Sequence, residues 1–128
     1  MRAVSWGFVG RAWPALLLMA AIFALSHINL PVGATGGSDK IIHAVVFGLL
    51  AALWMRALDG WQGGLWGRAM LAICVTTAWG VLDEIHQAFV PGRTASALDA
   101  LADLGGAVLV VGLLSWRVAS RAADPAES

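Results

Sequence analysis

Apolar residues along this chain gather into four runs of about 20 residues, parted by short stretches rich in Gly, Pro and Ser. The runs cover roughly Trp13–Leu30, Ile41–Leu58, Ala69–Phe89 and Leu98–Trp116. A helix rises about 1.5 Å per residue, so each run is long enough to cross roughly 30 Å of hydrocarbon. Between them, "PVGATGGSDK", "DGWQGGLWGR" and "VPGRTAS" carry the residues of turns. The pattern predicts an all-α fold, an integral membrane bundle of four transmembrane helices over residues 13–116. A short N-terminus, 1–12, precedes the bundle and a tail, 117–128, follows it.

Composition strengthens that expectation. With 128 residues, 59% of them apolar and 12% charged, the chain has one domain's length and too little polar material to cover a soluble one. Its mean hydropathy is +0.78. A formal net charge of +0 offers neither a basic stripe for nucleic acid nor a polybasic surface helix. The single Cys74, inside "MLAICVTTAWGVL", is expected to pack as a small hydrophobe.

Lys and Arg set the orientation, because cytoplasmic loops carry the excess. Arg2, Arg11, Arg56, Arg68, Arg117 and Arg121 fall on one side of the four runs, and Lys40 and Arg93 on the other. Both termini are therefore expected in the cytoplasm, with the first and third loops outside. Arg2, Arg11 and the small residues "VGA" ending at Ala34 also fit a cleaved signal peptide. The length of the apolar run and the intervening "SHINLP" favour a retained span.

Polar residues collect at the outer end of this topology. Ser38 is the expected cap of the second helix, and Asp39 and His43 share a face four residues apart. In "DEIHQ", Asp83 and Gln87 share a face, with Glu84 and His86 flanking it. Asp83 lies six residues before Phe89, roughly 9 Å below that end. Ser96 is the expected cap of the fourth helix, which carries Asp99 and Asp103. An ionised carboxylate at mid-bilayer costs about 2.5–3.5 kcal/mol, so these acids must face a cavity or one another. Arg93, in a Pro-Gly turn between two acid-bearing helices, is expected to pair bidentately with one of them.

Simpler roles are expected elsewhere. His27 reads as interfacial, Trp13, Trp54, Trp61, Trp66 and Trp116 as an aromatic belt, and Gly105 and Gly106 as close helix packing. His43, Asp83, Glu84, His86, Asp99 and Asp103 include metal-ligand types, but there is no "HExxH", and Glu84 and His86 sit two apart on diverging faces. No metal and no other cofactor is expected. Candidate catalytic residues are His43, Asp83, Glu84 and His86, with either His as base and Asp83 or Glu84 as its orienter or a metal ligand. Thr94 and Ser96 lie near enough to be imagined as nucleophiles without a motif to support them.

"SDKIIH" and "DEIHQAFVPGRTASALDALADLGG" together resemble the VanZ-like family of small bacterial membrane proteins. The resemblance implies that Asp39, Lys40, His43, Asp83, Glu84, His86, Gln87, Pro91, Gly92, Arg93, Asp99 and Gly106 are signature positions. Asp103 departs from it, standing where the family usually has Asn, and Phe47 stands where a Tyr is common. The family's association with teicoplanin resistance implies a multi-pass protein of the bacterial cytoplasmic (inner) membrane, acting on the cell envelope. The expected binding set is Asp39, Lys40, His43, Asp83, Glu84, His86, Gln87, Arg93, Asp99 and Asp103. Its expected partners are membrane lipids or a lipid-linked envelope precursor, with no nucleic acid and with a homo-oligomer possible. A membrane-embedded hydrolase or transferase is the alternative, and a small proton-coupled transporter the third reading.

Overall fold

The computed structural model describes residues 6–28 and 37–123. They form four helices and, among the described residues, no strand: α1 (Trp6–Ser26), α2 (Ser38–Ala57), α3 (Gly64–Gln87) and α4 (Ala97–Ala122). All four are long and apolar enough to cross a membrane. Every one of them starts earlier than the apolar runs suggest, and α4 also runs on to Ala122, because a helix continues through flanking Arg, Trp and Gly residues that hydropathy alone discounts. The proposed cleavage point at Ala34 lies outside the described residues.

Helix α2 is the hub, packing on α1, α3 and α4. Ion pairs join the first two turns of α2 and α4, which run parallel, while the C-terminal ends of α1 and α3 meet through Ser26 and Asp83. Both helix N-termini and both C-termini therefore gather at one end of the bundle. Toward the far end the interior is built from small and apolar side chains, with Ala51, Met55, Leu58, Ala69, Ala72, Ala107 and Val111 in one buried cluster. A second cluster, Ala15, Ile22, Phe47 and Leu50, seats α1 against α2. Leu16, Leu17, Val45, Leu49, Leu109 and Leu113 point outward, where hydrocarbon would be their solvent.

Two glycines set the α2–α4 distance. A Cβ on Gly106 would lie 2.0 Å from the carbonyl oxygen of Ala44, and one on Gly48 3.1 Å from the carbonyl oxygen of Gly106. Backbones that close pack by van der Waals contact, the main attraction available between helices in lipid. Gly105, one residue away, has nothing within 4 Å of its missing Cβ, so only one of the expected pair is a packing glycine. A step of one residue turns the position by about 100°, enough to leave the interface.

Three further expectations need correction. Ser38 does not cap α2; Gly37 occupies that position with φ 142, and no side chain caps the helix. Cys74 is exposed on the outer surface, two residues past buried Ala72 and so on the opposite face of α3. Trp54 is half-buried against both apolar clusters instead of standing in an interfacial belt, because α2 is covered on three sides. Trp13, Trp61, Trp66 and Trp116 are exposed. At the far end the Arg68 guanidinium meets Asp59 at 2.5 Å, beside a turn that uses Gly60 at φ 81.

Candidate functional site

Four of the five acids at the polar end are nearly excluded from the surface, and Asp39 is half-buried. Asp83, Glu84, Gln87, Asp99 and Asp103 are all less than a tenth exposed, so each must be held by a partner. Asp83 is fully engaged: its Oδ1 accepts from the Ser26 hydroxyl at 2.5 Å and its Oδ2 from Gln87 Nε2 at 2.8 Å, across the helical turn that their spacing predicts. Ser26 Oγ also lies 2.9 Å from the Ile22 carbonyl one turn back.

The Asp83–Gln87 bond has a consequence for Arg93. With its amide nitrogen committed to Asp83, Gln87 turns Oε1 the other way, and Arg93 Nη2 donates to it at 3.1 Å. The expected bidentate Arg93–carboxylate pair is absent; among the described residues the guanidinium meets an amide. The reason is the turn after α3, where Pro91 and Gly92 occupy the centre, Gly92 at φ 83, and the Arg93 N–H closes onto the Val90 carbonyl at 3.1 Å. Gly there supplies the positive φ that a type II turn demands. That tight reversal brings Arg93 back over the last turn of α3, beside Gln87 and short of the α4 acids.

The α4 acids brace α2 instead. Lys40 Nζ donates to Asp99 Oδ1 at 3.0 Å, and His43 Nδ1 lies 2.9 Å from Asp103 Oδ1. Asp39 and Asp99 sit in the first turns of α2 and α4, where the helix dipole favours a negative charge. Ser96 caps α4 as expected, its hydroxyl accepting from the Asp99 N–H at 3.3 Å. Its own N–H donates to Glu84 Oε2 at 2.7 Å, tying α3 to the start of α4. Asp103 fits because position 80 is glycine; a Cβ there would lie 2.7 Å from Asp103 Oδ2. Asp103 Oδ2 and Glu84 Oε1 are buried with no hydrogen-bond donor among the described residues.

A cavity of about 210 Å³ opens in front of this network. Helix α1 lines it with Ile22, Leu25 and Ser26, and α2 with Asp39, Ile42, His43, Val46 and Phe47. Asp83, Gln87 and Arg93 complete it from α3 and its turn. The residues predicted from sequence thus divide. Asp39, His43, Asp83, Gln87 and Arg93 line the cavity, whereas Lys40, Glu84, Asp99 and Asp103 stand behind it as supports. His86 is elsewhere, its ring 4.5 Å from Phe23 and 4.4 Å from His27 by centroids. Among the described residues neither Asp83 nor Glu84 hydrogen-bonds it, and its Nε2 is buried without a partner. His43 takes a different orienter from those expected, Asp103. The six residues of metal-ligand type named from sequence are not gathered together either: among the described residues, Asp39, His43 and Asp99 are those whose ligand atoms lie within 4.8 Å of one another. Ser26 was missed from sequence; its signal was a hydroxyl in "IFALSHINL", at the end of α1 that topology brings to the acids.

Four membrane-crossing helices with buried acids, a histidine and an arginine gathered around a cavity at one end define a multi-pass membrane protein with a polar, partly apolar-walled chamber. A family model, VanZ/LLP1, matches residues 6–118, and the chain belongs to that family. No curated protein and no solved structure matches it, so residue roles follow from its own geometry.

Proposed function

We propose that the protein binds the headgroup of a membrane lipid or lipid-linked envelope precursor in this cavity, with the polar end facing outward and both termini in the bacterial cytoplasm. One observation carries the reading: a single cavity combines apolar walls, Ile22, Leu25, Ile42, Val46 and Phe47, with the Arg93 guanidinium. Guanidinium is suited to phosphate, offering several donors of which Gln87 takes one. Size limits the ligand. At about 210 Å³ the cavity falls below the roughly 300–1,000 Å³ of sites that enclose drug-sized molecules. A headgroup with the start of its chains fits that space and a whole glycopeptide does not. A role in teicoplanin-type resistance would then run through the envelope lipid or precursor rather than through capture of the drug.

The test is thermal stability of the detergent-purified protein with short-chain phospholipids, because a ligand that binds the folded state alone raises Tm. Anionic and zwitterionic lipids are expected to raise it, and Arg93→Ala to remove the shift while its unliganded Tm stays near wild type. Equal shifts in wild type and Arg93→Ala would sink the proposal.

A second reading rests on the His43–Asp103 pair. A carboxylate at 2.9 Å from Nδ1 fixes the imidazole tautomer, leaving Nε2 as the acceptor of a general base on a side chain that lines the cavity. Under this reading, purified protein releases product from envelope lipids and Asp103→Leu abolishes turnover with binding retained. Absence of product with wild type would exclude it.

A further inference from the structure

The cavity holds two opposite charges that do not meet. Asp39, from the first turn of α2, and Arg93, from the turn after α3, both line it. Ion pairs within 4.0 Å among the described residues join Lys40 to Asp99, His43 to Asp103 and Arg68 to Asp59, and none joins Asp39 to Arg93. The other lining acid, Asp83, has both oxygens committed to Ser26 and Gln87. The Asp39 carboxylate makes no side-chain hydrogen bond among the described residues; it has one oxygen within 4.8 Å of ligand atoms of His43 and Asp99, and its two oxygens are able to accept.

We infer that the ligand is a zwitterion, a phosphate joined to a primary ammonium, as in a phosphatidylethanolamine headgroup. This rests on the lipid-headgroup reading above and names its substrate class. The phosphate lies against Arg93 and the ammonium against Asp39, filling the gap between two charges that the protein leaves apart. A primary ammonium, rather than a quaternary one, follows from the walls. Choline-type cations are held by cages of aromatic faces, and this cavity offers one phenyl ring, Phe47, and no indole. A primary ammonium instead donates up to three hydrogen bonds, which a carboxylate accepts. Ile22, Leu25, Ile42 and Val46 extend the site past the headgroup, so acyl chains add to the binding.

The experiment compares binding of dioctanoyl phosphatidylethanolamine, phosphatidylcholine and phosphatidylglycerol, and of free phosphoethanolamine, to the full-length protein by native mass spectrometry and thermal shift. Wild type is expected to prefer the ethanolamine lipid over the glycerol lipid by about tenfold, the low end for a hydrogen bond to a charged group. Asp39→Asn should erase that preference while leaving phosphatidylglycerol binding in place, and its unliganded Tm reports that it folds. Arg93→Gln should weaken all three lipids. Phosphatidylglycerol binding as tight as phosphatidylethanolamine, or rising to that level with added magnesium, overturns the zwitterion while the headgroup reading survives. Free phosphoethanolamine binding as tightly as the lipid overturns the role of the apolar wall. No binding by any lipid overturns the headgroup reading itself.

Discussion

Replacing Gly106 with Ala tests whether the α2–α4 seam positions the site. The new methyl would sit 2.0 Å from the Ala44 carbonyl oxygen and 2.7 Å from the carbonyl carbon and Cα of Ala44. Cβ contacts under 3.0 Å are essentially never seen, so the two backbones must part by about 1 Å, the difference between 3.0 and 2.0. The neighbouring atoms are main chain and have no rotamer to change. Overpacking of this kind costs about 1–3 kcal/mol, with the upper half expected where backbone must move. Ala is a better helix former than Gly by about 1 kcal/mol, which offsets part of that. Gly105→Ala is the matched control. It has the same propensity gain, one residue away, and nothing within 4 Å to meet. Unfolding in SDS titrations, followed by the fluorescence of the seven tryptophans, should place Gly106→Ala well below wild type and Gly105→Ala at or slightly above it. Because Ala44 adjoins His43, the same displacement should loosen the 2.9 Å His43–Asp103 contact and weaken ligand binding. Equal stability for the two variants would refute the close approach and, with it, the register of α2 on α4.

Three further outcomes follow from the geometry. Asp83→Leu removes the acceptor that orients the Gln87 amide, so Arg93 loses its fixed position; lipid affinity should fall toward that of Arg93→Ala, and unchanged affinity in the folded variant would break the relay from Asp83 through Gln87 to Arg93. Glu84→Gln keeps an acceptor for the Ser96 N–H and should leave Tm near wild type, whereas Glu84→Leu strands that donor at a cost of about 1–3 kcal/mol; equal Tm values for the two would remove Glu84 from the α3–α4 junction. Cys74, exposed on the apolar outer face of α3, should resist a charged maleimide in liposomes and react once the protein is unfolded in denaturant. Rapid labelling in liposomes would mean that this face is wet and that α3 is rotated.

What could be read from sequence was whatever depends on spacing within one helix. The Asp83–Gln87 bond follows from residues four apart, as does the shared cavity-lining face of Asp39 and His43, and the Ser96 cap from a hydroxyl three residues before Asp99. The rungs between helices were not legible. Lys40 and Asp99 are 59 residues apart and His43 and Asp103 are 60 apart, and which acid faces which cation depends on how far one helix slides past another. Nothing local to either segment sets that slide. The glycine at 106 sets it from a distance, and one signal for it was present. Asp99, Asp103, Gly106, Ala107 and Val111 fall at intervals of four, three, one and four, a single buried stripe that excludes Gly105. The Pro-Gly turn places Arg93 between two acid-bearing helices, but the direction of the Pro91–Gly92 reversal, which residue types alone do not give, returns it to its own helix.

The hydrogen bonds of the polar end link the helices in a series, α2 to α4 to α3 to α1, and leave one seam without a bond. Lys40–Asp99 and His43–Asp103 bind α2 to α4, Ser96–Glu84 binds the start of α4 to α3, and Ser26–Asp83 binds α3 to α1, while among the described residues no side-chain bond joins α2 to α1 or α3. The cavity lies at that unbonded seam, lined by α1 and α3 on one side and α2 on the other. At the far end the same helices share an apolar cluster drawn from α2, α3 and α4, with Ala72 and Ala107 fully buried. Moving α2 away from α1 at the polar end would therefore break none of these hydrogen bonds, whereas separating the helices at the far end would expose the packed core. Any breathing that admits a ligand is thus concentrated at the cavity. Substitutions in the apolar cluster should change stability with little effect on affinity, and those at Arg93 or Asp39 the reverse. Gly106 stands between the two regions, one turn below Asp103 and against Ala44, which is why a single methyl there is expected to affect both.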